Sequence, residues 1–312
     1  MAEAEAERGA WSAAATQASR TGEERRFQVS TGTLAALHFP AVHAGVPRVL
    51  ALHGWLDNAA SFTALADALP EVELLALDLA GHGRSAWRPA AGSYALVDHL
   101  PDLQDALDAL DWPSAILLGH SMGAAIACLF AAAAPERVER LICIDALGPL
   151  SLDEAEVAAR LRRALAARRE PRPRRRLFAR IEDACRQRAD LNGLSPQAIA
   201  PMVERGLSET EGGWIWSADP RLQLPSAMPM SEIQVQQLLR ALAMPVLVLA
   251  AEQPDPRLPR LHVQARLACV PRAQLLRLPG GHHLHIAEPQ QAAVAIRQFL
   301  AGQDDAGSPA NA

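Results

Sequence analysis

The residues Gly119-His120-Ser121-Met122-Gly123 follow the apolar run Ala115-Ile116-Leu117-Leu118 and lead into an apolar stretch of helical character. G-x-S-x-G between a strand and a helix marks a serine on a very tight turn. Such a turn strains the serine backbone. It also brings strand and helix so close that a side chain at Gly119 or Gly123 would collide with them. The hydroxyl is left standing clear at the end of the sheet, and the first helical turn offers N–H groups beneath a developing oxyanion. The chemistry this suits is nucleophilic attack by Ser121 on an acyl carbon. The competing reading is a glycine-bracketed helix start with Ser121 as its cap.

A nucleophile on a strand end requires a sheet to hold it, and the sequence supplies one. Arg48 to His53, Val72 to Leu77, Ala115 to Leu118, Leu141 to Ile144, Pro245 to Leu249 and Gln274 to Leu278 read as short strands. Helical patterns over Ser61 to Leu69, Leu96 to Leu110, Met122 to Ala134 and Pro289 to Ala301 lie between or after them. Apolar strands without in–out alternation, separated by helices, predict a mostly parallel α/β sheet covered on both faces. The rhythm stops at Gly148-Pro149 and resumes at Pro245, so 148–242 is expected to be a helix-rich insert in a core of 27–147 and 243–301. Residues 1–26 and 302–312 read as loose, disordered tails.

Composition narrows the class. The 312 residues are 50% hydrophobic and 21% charged, with a net charge of −5. That suffices to bury a large core and gives no overall attraction to nucleic acid or anionic membrane. Every cation is arginine, and the dense stretch from Arg160 to Arg188 is interleaved with Glu170, Glu182 and Asp183, as expected of a solvated helical face. No apolar run is long enough to span a bilayer, and acids occupy the N-terminus where a signal peptide needs cations, so the expected location is cytoplasmic. Cys128, Cys143, Cys185 and Cys269 have no metal-finger spacing and read as reduced thiols, Cys128 and Cys143 as buried ones.

With these residues assembled, the chain resembles the α/β-hydrolase fold superfamily from about residue 27 to 301. Leu52-His53-Gly54-Trp55 is similar to its oxyanion loop, and Asp78-Leu79-Ala80-Gly81-His82-Gly83-Arg84-Ser85 to its D-x-x-G-x-G-x-S loop. Gly119 to Gly123 resembles its nucleophile elbow, and Gly281-His282 stands where it keeps a histidine. His53 to Asn58, with His282-His283-Leu284-His285 and Trp214-Ile215-Trp216 to Leu222, resembles the serine-hydrolase-like branch more narrowly.

The resemblance implies roles. His282 lies after a glycine and seven residues before Pro289, which selects it as the base over His283 and His285. The backbone N–H groups of Trp55 and Met122 would form the oxyanion hole. The acid stays open between Asp145, Asp255 and Glu252, because the loop Ala250 to Pro256 departs from the family's G-x-x-D spacing. His53, Trp214 and Trp216 are expected at the substrate pocket, with loop fixing the main task of His53. The insert resembles the family's helical cap. A metal at the His-x-His tract is not expected, since no carboxylate accompanies it in the same loop.

The implied function is a serine hydrolase that cleaves an ester or thioester of a small, hydrophobic substrate without a cofactor. Amide, lactone or carbon–carbon cleavage would need only different substrate positioning. A non-catalytic ligand-binding protein is the rival class. The expected partner is a small molecule, with neither nucleic acid nor membrane, and the chain is expected to be a monomer or homodimer.

Overall fold

The computed structural model describes residues 20–43, 45–170, 175–253 and 263–302. Strands β1 (Glu23–Val29) and β2 (Gly32–Phe39) form an antiparallel hairpin. β3 (Arg48–Leu52) runs through a short 3-10 turn into α1 (Thr63–Ala68), followed by β4 (Glu73–Leu77) and α2 (Leu100–Ala109). β5 (Ala115–His120), α3 (Met122–Ala133) and β6 (Val138–Ile144) come next. The insert then holds α4 (Val157–Ala167), α5 (Ile181–Asn192), α6 (Pro196–Gly206), the hairpin β7 (Leu207–Thr210) and β8 (Gly213–Trp216), and α7 (Glu232–Arg240). The chain finishes with β9 (Val246–Ala251), α8 (Val263–Leu267), β10 (Ala273–Leu278), α9 (Leu284–Ala287) and α10 (Pro289–Leu300).

Among the described residues, eight strands make one sheet in the order β1-β2-β4-β3-β5-β6-β9-β10. β2 pairs antiparallel with β4, and every pairing from β4 to β10 is parallel. The central strands are apolar at consecutive positions because both faces are covered. Leu117, Leu141 and Cys143 face a cluster with Leu103 and Leu107 of α2 and Ile126 and Phe130 of α3. Ile116, Leu118, Ile142 and Ile144 face the opposite cluster, with Leu65 of α1 and Ile296 and Phe299 of α10. A side chain of this size stabilises by about 1.5–3 kcal/mol when buried.

Two boundaries differ from the sequence reading. Residues 23–26, read as part of a tail, begin β1; their charged, exposed side chains lack alternation, and only pairing with β2 makes them a strand. The insert is not wholly helical. Leu207 pairs with Trp216 and Thr210 with Gly213, so the chain reverses at Glu211-Gly212, and Gly212 and Gly213 both take positive φ, a hairpin signal that the sequence does carry. The insert has an apolar cluster of its own around Phe178, Cys185, Ile199, Met202 and Val203. All four cysteines are buried free thiols, and Cys128 Sγ lies 3.8 Å from Cys143 Sγ. Among the described residues, no helix is long and apolar enough to cross a membrane.

Candidate active site

Because the central strands are parallel, the loops after β3, β4, β5, β6, β9 and β10 all emerge at one end of the sheet. Ligands of open α/β sheets bind at that end. Ser121 sits directly after β5 with φ 51° and ψ −113°, a left-handed conformation that costs a non-glycine residue roughly 1–3 kcal/mol. The close approach expected at the flanking glycines is severe. A Cβ on Gly123 would lie 2.0 Å from the carbonyl oxygen of Leu52, and one on Gly119 would lie 2.4 Å from the backbone of Ala124.

Asp145, after β6, and His282, after β10, come to the same place from strands on either side of β9. The Ser121 N–H donates to the carbonyl of Ile144, the last residue of β6, and Asp145 follows it at φ 49°. Asp145 Oδ2 is 2.7 Å from His282 Nδ1, and its Oδ1 accepts the Ala251 N–H at 2.9 Å. Burial disfavours the charge on Asp145, but these two hydrogen bonds and the adjacent imidazoles hold its carboxyl below the usual range. His282 is anchored next to the serine because its carbonyl accepts from Nε2 of His120, 2.9 Å away.

The other acid and base candidates fare differently. Glu252 is exposed, and its backbone N–H is engaged by the Leu278 carbonyl. Asp255 lies outside the described residues. His285 is fully buried, with neither ring nitrogen hydrogen-bonded among the described residues. His283 turns away to Asp57 and Asn192.

The loop after β3 carries the proposed oxyanion donor. Met122 opens α3, and Trp55 projects with 51% of its surface exposed while its indole N–H donates to the Leu222 carbonyl. Among the described residues, neither backbone N–H of Trp55 and Met122 has a protein acceptor. His53 stands at the base of the same loop. It is fully buried, its Nδ1 contacts the Gly54 carbonyl at 2.7 Å, and its Nε2 accepts the Leu79 N–H at 3.0 Å. Both nitrogens are spent tying two loops together, and burial drives its pKa down to about 4, so it is neutral. Trp214 and Trp216 pack on the insert's own cluster, Trp214 bridging to Phe178 and Trp216 standing edge-on to it.

Sequence reasoning missed a polar layer that fastens the insert over these loops. Arg205 of α6 binds Asp78 at 2.8 Å and Glu24 at 2.7 Å, with only 4% of its side chain exposed. Arg188 of α5, read as part of a solvated face, binds Asp57 Oδ1 at 2.6 Å. Asn58 donates to the Met202 carbonyl and Tyr94 to Asp219. Burial works against the charge of Asp57, yet His283, His120 and Arg188 together hold its carboxyl well below the usual range. Burial outweighs the same carboxylate at His120 and lowers its pKa to about 4. The only sequence signal was the presence of polar residues beside the known loop motifs.

The family model of the alpha/beta hydrolase fold matches residues 47–289. A serine hydrolase-like protein of Dictyostelium discoideum is 29% identical, over 91% of this chain and 83% of that protein. One of Danio rerio is 28% identical, over 91% of this chain and 90% of that protein. The crystal structure of a hypothetical protein from Pseudomonas aeruginosa PAO1 superimposes with a TM-score of 0.81 at 38% identity, covering 90% of this chain and 99% of that one.

Proposed function

The chain belongs to the α/β-hydrolase fold family, and from that premise we propose that it hydrolyses an ester or thioester of a small hydrophobic molecule through Ser121, His282 and Asp145. The contact of His282 Nδ1 with Asp145 Oδ2 at 2.7 Å carries the reading. It fixes the proton on Nδ1 and leaves Nε2 as an acceptor, the tautomer a base for Ser121 requires.

The Ser121 hydroxyl adds to the acyl carbon as His282 Nε2 takes its proton, and the negative charge gathers on the carbonyl oxygen between the Trp55 and Met122 N–H groups. Collapse expels the alcohol or thiol, which receives the proton from His282 and leaves an acyl-serine. Water, deprotonated by the same histidine, releases the acid and restores Ser121. Asp145 stabilises the transient imidazolium by its charge. Serine, imidazole, carboxylate and two N–H donors suffice for every step, so the reaction calls on no cofactor. The insert would act as a cap that bounds the substrate, with the exposed Trp55 ring beneath it.

Treatment with a fluorophosphonate probe, followed by peptide mapping, tests this directly. Labelling at Ser121 is expected, absent in Ser121→Ala and strongly slowed in His282→Ala. A folded protein that resists the probe would instead favour a ligand-binding protein without a working nucleophile.

A further inference from the structure

Three side chains, from two loops and one strand end, converge beside the proposed triad without belonging to it. Asp57 follows β3, His120 closes β5 and His283 follows β10. Asp57 Oδ2 lies 3.5 Å from His120 Nδ1 and 3.3 Å from His283 Nε2, and the three ligand atoms all fall within 4.8 Å of one another. A tetrahedral zinc site with ligands at about 2.0–2.1 Å has ligand–ligand edges of about 3.3–3.4 Å. Two of the three edges already have close to that length.

The protons point the same way. A carbonyl can only accept, so the contact of His120 Nε2 with the His282 carbonyl puts the ring's proton on Nε2. In the neutral tautomer that is the only proton the ring carries. His120 Nδ1 therefore presents a bare lone pair to Asp57 Oδ2 at 3.5 Å, and among the described residues that buried atom has no hydrogen-bond partner. His283 Nε2 lies 3.3 Å from the same oxygen and 2.9 Å from the Asn192 side-chain amide, so a cation bound there would take the place of these contacts. A buried acceptor that faces another is unfavourable, and a cation between His120 Nδ1 and Asp57 Oδ2 removes that conflict.

The surroundings fit. The His282 carbonyl holds the far nitrogen of His120, the outer contact that metal-binding imidazoles ordinarily make. Arg188 orients Asp57 through Oδ1 and leaves Oδ2 to the gap, although its charge tempers cation affinity. A Cβ on Gly54 would lie 2.8 Å from both Asp57 Oδ2 and His120 Nδ1, so the glycine keeps this space open. No contiguous pattern marks the cluster, because the carboxylate arrives from a loop far from the histidine tract.

We infer that Asp57 Oδ2, His120 Nδ1 and His283 Nε2 bind one divalent transition-metal ion of the Zn²⁺ class, with water as the fourth ligand. Two imidazoles and a carboxylate select such an ion over Mg²⁺ or Ca²⁺, which favour all-oxygen sites.

The test needs no substrate, so it stands or falls separately from the hydrolase reading. Protein stripped with chelator is titrated with ZnCl₂, and bound metal is measured by mass spectrometry after gel filtration; CoCl₂ reports tetrahedral geometry by its visible absorption. One ion per chain is expected in the wild type and in His282→Ala. Asp57→Asn and His283→Gln, each checked for folding by circular dichroism, should bind at least about 100-fold more weakly. If Asp57→Asn fails to fold, the partly exposed His283 decides alone. No stoichiometric uptake by the wild type would overturn the inference. Undiminished binding in His283→Gln would overturn it too, as would loss in His282→Ala alone, which would move the metal to the triad.

Discussion

Replacing Asp145 with asparagine removes a charge while keeping shape, and the structure dictates how the amide must sit. The Ala251 N–H donates to one carboxylate oxygen at 2.9 Å, and His282 Nδ1 lies 2.7 Å from the other. An amide NH₂ cannot face the Ala251 N–H, so the oxygen stays there and the NH₂ turns to His282. A donor now meets Nδ1, which must accept, and the ring's proton moves to Nε2. That is the nitrogen that has to receive the Ser121 proton. The base is lost with the geometry intact, a change that costs about 10⁴-fold in kcat in the Ser-His-Asp template. At about 1.36 kcal/mol per decade this is roughly 5 kcal/mol of barrier. Initial rates with p-nitrophenyl butyrate at pH 7.5, taken as about neutral, would compare the wild type, Asp145→Asn and Asp145→Ala, with urea unfolding as the check on folding. An Asp145→Asn enzyme within about tenfold of wild-type kcat would refute the tautomer argument. It would return the acid's role to Asp255 or Glu252.

Three further outcomes follow from the packing and the charges. Gly123→Ala puts a Cβ 2.0 Å from the β3 backbone, which cannot swing aside, so α3 must retreat from the sheet. Urea unfolding should show a loss of at least about 3 kcal/mol, and a loss under about 1 kcal/mol would contradict the close approach. Arg205→Met leaves Asp78 charged, fully buried and without its guanidinium, at an expected cost of about 3–5 kcal/mol by the same measurement. Glu232 is held to a pKa of about 2, first by the hydrogen bond from Arg266, against an ordinary 4.5. A depressed carboxylate contributes stability above its unfolded pKa and loses it as pH falls through the folded one. Glu232→Gln should therefore be less stable than wild type by about 1–2 kcal/mol at neutral pH, after allowance for solvent screening. That gap should narrow between pH 4.5 and 2; a constant gap would refute the assignment.

Contiguous residues encode the local part of this architecture. The strand pattern, the elbow around Ser121 and the glycines that permit it depend on apolar runs and steric limits a few residues long, and each is legible one segment at a time. β1 escaped because an exposed charged edge strand has no apolar period to betray it, and its first residues looked like a tail. Choice among alternatives belonged to the tertiary structure. Asp145 and Glu252 both stand at or near strand ends, yet of these two only Asp145 meets His282, because β6 lies beside β5 and ends level with the elbow. Arg188 and Arg205 look like surface cations in the sequence and are fixed to Asp57 and Asp78 by the folding of the insert onto the sheet. A charge takes its meaning from what stands within a few ångströms, and here those partners come from more than a hundred residues away.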